Sequence, residues 1–453
     1  MADVSRATMT AYLSYTRKVA EATPATRNRI IDFWRAAAIL VVVFGHWLAA
    51  SIWLRADGEI ALLNSLQWIP YSAWVTWIVQ VMPIFFFVGG YANARALRRV
   101  EEGEQLRRAW ITTRVRRLYT PVIPLLVVWT VLIVIMRPFI PADVVRAGSM
   151  AATVPLWFIS VYIGLVALAP VTHRWWRRAG LGSVAAIAGT AIAVDIARFV
   201  FGVPGIGWVN FLFVWGAVHQ LGYWWASRDA AGHPISPATG WAISGTALTA
   251  LIAVTWIGWY PVAMVGIPGA ELTNMTPPTF AIFLLGVVQA GVILGTQPAV
   301  AKATQRLGTW NAVVAISGVI MTVYLWHLTA MTIVASIGLF TFGGVAFKIE
   351  PGTLAWFLTR PIWIAVLLAV TGVLVAIFAR FEWRISGKPA PARRRWVTLG
   401  VLLTAGSAAA VSYFGLATED AAINWIIPAA AISGALLMGA MPRLGKRREK
   451  SEV

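Results

Sequence analysis

Cysteine is absent from the 453 residues. That excludes disulfides, a thiolate nucleophile and any Cys-ligated metal site. Charge is scarce too: Asp, Glu, Lys and Arg make 12% of a chain that is 59% hydrophobic. A soluble protein of this length needs a far larger charged surface. Also missing is the short apolar–polar alternation of an outer-membrane barrel. The first 29 residues are polar and basic, with Arg17, Lys18, Arg27 and Arg29, and hold no apolar core of a cleavable signal peptide. No internal repeat stands out.

What is present is a series of apolar runs of about 20 residues, each long enough to cross a hydrocarbon core. In lipid the backbone must satisfy its own hydrogen bonds, so the runs read as helices. The expected fold is an all-α polytopic membrane protein of about twelve transmembrane helices. The spans fall at roughly 30–54, 70–93, 118–137, 155–171, 182–203, 208–225, 241–259, 279–297, 312–339, 362–380, 396–416 and 423–441.

The net charge of +19 sits in the connections between spans rather than on one face. That placement argues against a nucleic-acid partner and for orientation against anionic lipid headgroups. Arg95, Arg98, Arg99, Arg107, Arg108, Arg114, Arg116 and Arg117 precede the third span. Arg384, Lys388, Arg393, Arg394 and Arg395 precede the eleventh, and Arg443, Lys446, Arg447, Arg448 and Lys450 close the chain. The intervening connection at 416–423 holds Glu419 and Asp420 without Lys or Arg. Both termini are therefore expected in the cytoplasm. Trp53, Trp68, Trp259, Trp356 and Trp425 near outer ends, and Trp175, Trp176, Trp224, Trp225, Trp310 and Trp396 near inner ends, read as interfacial belts.

The chain divides into an interfacial segment 1–29, a ten-span core 30–385, a basic linker 386–395, an extra hairpin 396–441 and a basic tail 442–453. The hairpin carries small residues, Gly406, Ser407 and Ala408 in one arm and Ala429, Ser433 and Gly434 in the other, which suit close packing in lipid.

Ionisable groups inside a span are costly and point to function by default. The first span holds Asp32, Arg35 and His46. Eleven helical residues come round to within about 20° of the starting line, so Arg35 and His46 share a face, with His46 roughly 16 Å further along. Asp32 lies near the same line, one turn before Arg35. Asp32 and Arg35 also fit an ion pair anchoring a helix end. His46 fits either a satisfied packing residue or a general base, which needs a neutral imidazole. Arg114 and Arg117 share a face ahead of the third span, with Arg116 beside them, and arginine forks suit phosphate. A positive-inside loop would look the same. His327 is a second imidazole within a span, and His219 a third; His173 and His233 are expected in solvated loops. The Pro- and Gly-rich connection 260–278 holds Glu271 and Asn274, able to bond an acceptor or simply to be wetted.

Arg35 and His46 in the first span, the Arg114-x-x-Arg117 pair, the FFFVGGY segment at 85–91, PLWFISVYIG at 155–164, NFLFVWGAVHQLG at 210–222 and TVYLWH at 322–327 together resemble the membrane-bound acyltransferase family 3. The resemblance covers about 28–385. It implies transfer of an acyl group, often acetyl, from cytoplasmic acyl-CoA to a hydroxyl presented at the outer face. It implies essential roles for Arg35 and His46 and donor binding by Arg114 and Arg117. Acyl-CoA is then a co-substrate, with no permanently bound cofactor and no metal expected. The oxyanion donor is open, with Trp157, Tyr324 and His327 as candidates, and so is an acyl-histidine intermediate. Arg-over-Lys bias and heavy Ala, Val and Gly usage fit a high-GC bacterium. The expected place is then the bacterial inner membrane, and the expected acceptor an envelope glycan or glycolipid. The competing reading is a secondary transporter, which would show repeated halves and broken helices.

Overall fold

The computed structural model describes residues 2–440 apart from 25, 68, 70, 101–103, 268, 342 and 384–392. Trp68, most of the linker 386–395 with Lys388, Arg384, and the tail 442–453 lie outside the described residues. The described residues are 77% helical. In order come α1 (Ala2–Glu21), α2 (Arg29–Ala49), strands β1 (Ala50–Leu54) and β2 (Ile60–Asn64), α3 (Ser72–Val79), α4 (Met82–Arg98), α5 (Glu104–Tyr119), α6 (Val122–Met136) and α7 (Ala142–Thr153). There follow α8 (Leu156–Ala179), α9 (Leu181–Phe199), α10 (Asn210–Ala230), α11 (Pro237–Trp256), α12 (Phe280–Gly295), α13 (Gln297–Gln305), α14 (Leu307–Ser317), α15 (Ile320–Thr341), α16 (Leu354–Trp383), α17 (Arg394–Phe414) and α18 (Ile426–Met438).

Among the described residues, nine helices are long and apolar enough to cross a membrane, or ten if α12 and α13, bent by 55°, form one span. Two of the twelve expected spans fall outside that count for different reasons. α18 has 13 residues, about 20 Å of helix, shorter than a hydrocarbon core. α10 is long enough but carries Asn210, His219, Gln220 and Asp229. It packs on α4, α9 and α12. Protein rather than lipid surrounds it, so its polar groups find partners there.

The first span also ends earlier than expected. α2 stops at Ala49 because Ala50 turns to extended geometry. The apolar run Ser51–Leu54 then pairs antiparallel with Ile60–Leu63. Gly58, at φ +88°, permits the turn between them.

The contacts group the chain into two units. The first comprises Met1–Gly103, Gly164–Ile320 and His327–Thr371. Its tightest crossing is α4 on α10. A Cβ on Gly90 would stand 1.8 Å from the His219 carbonyl oxygen, and one on Gly222 would stand 2.1 Å from that of Phe87. The GGY and HQLG motifs are thus where two backbones touch, as small residues permit. α1 lies on α14, where Ala20 packs with Ala36, Trp310 and Val313.

The second unit comprises Glu104–Ile163, Met321–Trp326 and Gly372–Val453. Here α17 and α18 form a tight hairpin: a Cβ on Gly434 would meet Thr404, and one on Gly400 would meet Met438. The hairpin packs on α5, α6 and α7. Tyr119 and Ser407 share a 2.6 Å hydrogen bond, and Ser160 donates to the Ala405 carbonyl. The two spans beyond the core are therefore built onto the arginine-bearing helix α5. Several expected belt tryptophans are core residues instead. Trp225 stacks on Phe87, Trp310 lies beneath Arg29, and Trp176 and Trp356 are buried.

Candidate active site

The site is built on α2. Asn28 caps its first turn, accepting from the Ile30 N–H at 3.1 Å. The Asn28 amide also donates to the Tyr91 hydroxyl, which donates to Asp229 at 2.8 Å. Arg95 adds a bond to the same hydroxyl. One network thus joins the start of α2 to α4 and α10. Neither Asn28 nor Asp229 was singled out from sequence. The signal for Asn28 was its position ahead of a helix, where Asn is favoured.

Asp32 does not pair with Arg35. Its carboxylate meets the Arg27 guanidinium at 2.7 Å, across the turn before the helix. Arg35 is exposed, and among the described residues it makes no ion pair or hydrogen bond. The two groups expected to pair are therefore separated, and the one with phosphate-binding chemistry is left open.

At the other end of α2, His46 Nδ1 lies 2.8 Å from His327 Nε2. The rings are 10° from parallel with centroids 5.1 Å apart. That separation is the 2.8 Å plus one ring radius at each end, so the imidazoles meet edge to edge in one plane, as an in-line hydrogen bond requires. The next residue locks the geometry. The Trp47 indole donates to the His327 carbonyl at 3.1 Å, and the Trp47 carbonyl accepts from Trp363 at 2.9 Å. α2, α15 and α16 are thus tied at the level of the two histidines. Both rings keep one nitrogen outside this bond, and His46 is only part-buried.

The other candidate positions sort differently. Arg117 is exposed; Arg114 sits over the Trp110 ring at 5.6 Å; Arg116 is buried. All three lie on α5, in the second unit. Tyr324 donates its hydroxyl proton to the Pro155 carbonyl at 2.8 Å and packs edge-on to Phe158, which commits that proton to holding α15. Trp157 is part-exposed at the start of α8. Asn274 is fully buried: its amide donates to the Pro261 and Ala263 carbonyls and its oxygen accepts from Thr279. It folds the connection 260–279 on itself, leaving nothing of the amide for an acceptor. Glu271 is exposed on the same connection. His219 bonds Asn93 at 3.1 Å inside the α4–α10 crossing. His173, expected in a loop, is buried in α8 against Tyr223, whereas His233 is exposed.

The family model described as an acyltransferase domain, acyltransferase 3, matches residues 28–381. The chain belongs to the acyltransferase 3 family. No curated protein sequence and no solved structure matches it. The family match begins at Asn28, the residue that caps α2, and ends just before Glu382. It takes in the histidine pair, Arg35 and the α5 arginines, and leaves out α1, α17 and α18. This member of the family is a membrane acyltransferase of many apolar helices.

Proposed function

We propose that the enzyme moves an acyl group, acetyl in the simplest case, from cytoplasmic acyl-CoA to a hydroxyl of an envelope glycan or glycolipid at the outer face of a bacterial inner membrane. The observation that carries this reading is the in-plane His46–His327 bond, held at one end of a helix whose other end bears the unpaired Arg35. The basic connections give the direction: Arg35 and α5 at the cytoplasmic side, the histidines towards the outer side.

In this mechanism His46 Nε2 takes the proton of the acceptor hydroxyl as its oxygen attacks the thioester carbonyl. The tetrahedral adduct collapses with cleavage of the C–S bond. The proton passes from His46 to the departing sulfur, leaving acylated acceptor and the free thiol of coenzyme A. A lone pair on Nε2 requires His46 to carry its own proton on Nδ1 and to donate it to His327 Nε2. His327 then orients the base and spreads the charge of the imidazolium as it forms, the part an aspartate plays in a triad. Arg114 and Arg117 are assigned the donor's phosphates by fork chemistry, and Arg35 offers the same chemistry on the base's own helix.

The test is His46→Ala in detergent-purified protein, with labelled acetyl-CoA and calorimetry of coenzyme A binding. Transfer should vanish while binding and thermal unfolding stay as they were; normal turnover by the variant would sink the mechanism. A transporter reading draws on the bent α12–α13 pair, since broken helices mark such folds. Here α13 packs on α2 and α14, bracing the catalytic helix. Uptake independent of acyl donor would favour transport.

A further inference from the structure

Arg360 stands six residues into α16. Its guanidinium lies 4.2 Å from the Trp356 ring centre and 5.5 Å from that of Trp363. Two of its five N–H donors are used, by the Trp356 carbonyl and the Thr359 hydroxyl. No acidic side chain pairs with it among the described residues. Arg360 lies just ahead of the apolar run 362–380, near the head of α16, and is only part-buried, so its unused donors are open to a ligand.

A second observation is independent of the first. The Trp356 indole N–H is buried and has no hydrogen-bond partner among the described residues, in a side chain only 3% exposed. Buried indole N–H groups normally find an acceptor. The guanidinium thus lies over a ring whose own N–H is unpartnered, and no acidic side chain serves either group among the described residues.

This place is wired to the histidine pair. Trp363, beneath Arg360, donates to the Trp47 carbonyl, and Trp47 donates to His327. Arg360 precedes Trp363 by three residues, so it stands about one turn nearer the start of α16. That start lies on the hairpin side, where Phe347 meets Trp363 and Gly344 meets Leu54. On the proposed reading this is the outer side, from which the acceptor comes.

We propose that Arg360 and the Trp356 N–H form an oxyanion-binding subsite, and that the acceptor carries a phosphate or carboxylate group near the hydroxyl that is acylated. This deepens the proposed function and rests on it. The rings pre-set the fork, so little entropy is lost when the oxyanion binds.

The test uses the full chain in nanodiscs of neutral lipid. Its probes are a decyl glucoside and the same glucoside bearing a phosphodiester. Binding is measured without donor, then transfer with labelled acetyl-CoA. The phosphorylated probe should bind roughly tenfold tighter or more, about the worth of one charge-assisted bond. Arg360→Gln should erase that ratio while sparing the neutral probe, and Arg360→Lys should keep part of it. Equal ratios in a folded Arg360→Gln protein overturn the subsite, as does equal loss on both probes. A ratio near one in the parent in neutral lipid, with Arg360-dependent activity appearing only on adding phosphatidylglycerol, supports the subsite but assigns its oxyanion to a headgroup. Arg360-dependent binding without any transfer keeps the subsite and removes the acyltransfer reading.

Discussion

His327→Ala isolates what the second histidine does. The substitution removes the ring that meets His46 Nδ1 but keeps the His327 carbonyl, so the bond from Trp47 survives. What is lost is one hydrogen bond to a group that becomes charged in the transition state. Such bonds are worth about 1.5–3 kcal/mol. That predicts a fall in kcat of roughly ten- to a hundredfold or slightly more. Because the charge appears only as the proton moves, the loss belongs to kcat and not to the KM for acyl-CoA. His327→Gln offers a side-chain oxygen to the Nδ1–H and should recover part of the rate. The assay is initial-rate transfer from labelled acetyl-CoA at several pH values, with thermal unfolding as a fold control. A folded His327→Ala enzyme whose kcat stays within about twofold of the parent refutes the orienting role. A loss that Gln does not relieve, matched by a lower unfolding temperature, would make His327 a packing residue.

Two further predictions address the frame and the donor. Gly90→Ala puts a methyl where the His219 carbonyl oxygen already stands, so α4 and α10 must part by over an ångström, at about 1–3 kcal/mol or more. Gly45→Ala, with nothing within 4 Å, is the control, and equal unfolding temperatures for the two would show the crossing is not tight. Arg117→Ala and Arg114→Ala should each raise the KM for acyl-CoA about tenfold with kcat little changed. The buried Arg116→Ala should instead lower the unfolding temperature; donor affinity unchanged in the first two variants removes the arginine assignment.

The apolar runs announce most of the helices because lipid gives the backbone no other partner. The helical repeat alone aligns Arg35 with His46. Beyond that, local pattern fails wherever the partner is distant or a competing geometry wins. His46 meets His327 281 residues away, and nothing near either residue says so. Asp32 is one turn from Arg35 in sequence, yet Arg27 reaches it from the segment before the helix, where the backbone is free to bring it round. Ser51–Leu54 continues an apolar run but turns to strand. The Asp57–Gly58 turn was the available signal for a hairpin. Trp356, Arg360 and Trp363 recur at i, i+4 and i+7, a helical face that was readable had the tenth span been started earlier.

The motifs that mark the family do two kinds of work, and α2 shows why both are needed. Its start is fixed by Asn28 through Tyr91 to Asp229, which depends on Gly90 and Gly222 letting α4 and α10 touch. Its far end is fixed by Trp47, bonded to both α15 and α16. Between the two anchors the helix is a ruler of fixed length and phase. One residue more or less between Arg35 and His46 would turn His46 and Trp47 together by about 100° relative to the capped start, so the two anchors could not both hold. The ten-residue interval is therefore set by the tertiary frame at each end, and the glycines, the cap and the indoles are as much a condition of the proposed chemistry as the imidazole assigned to it.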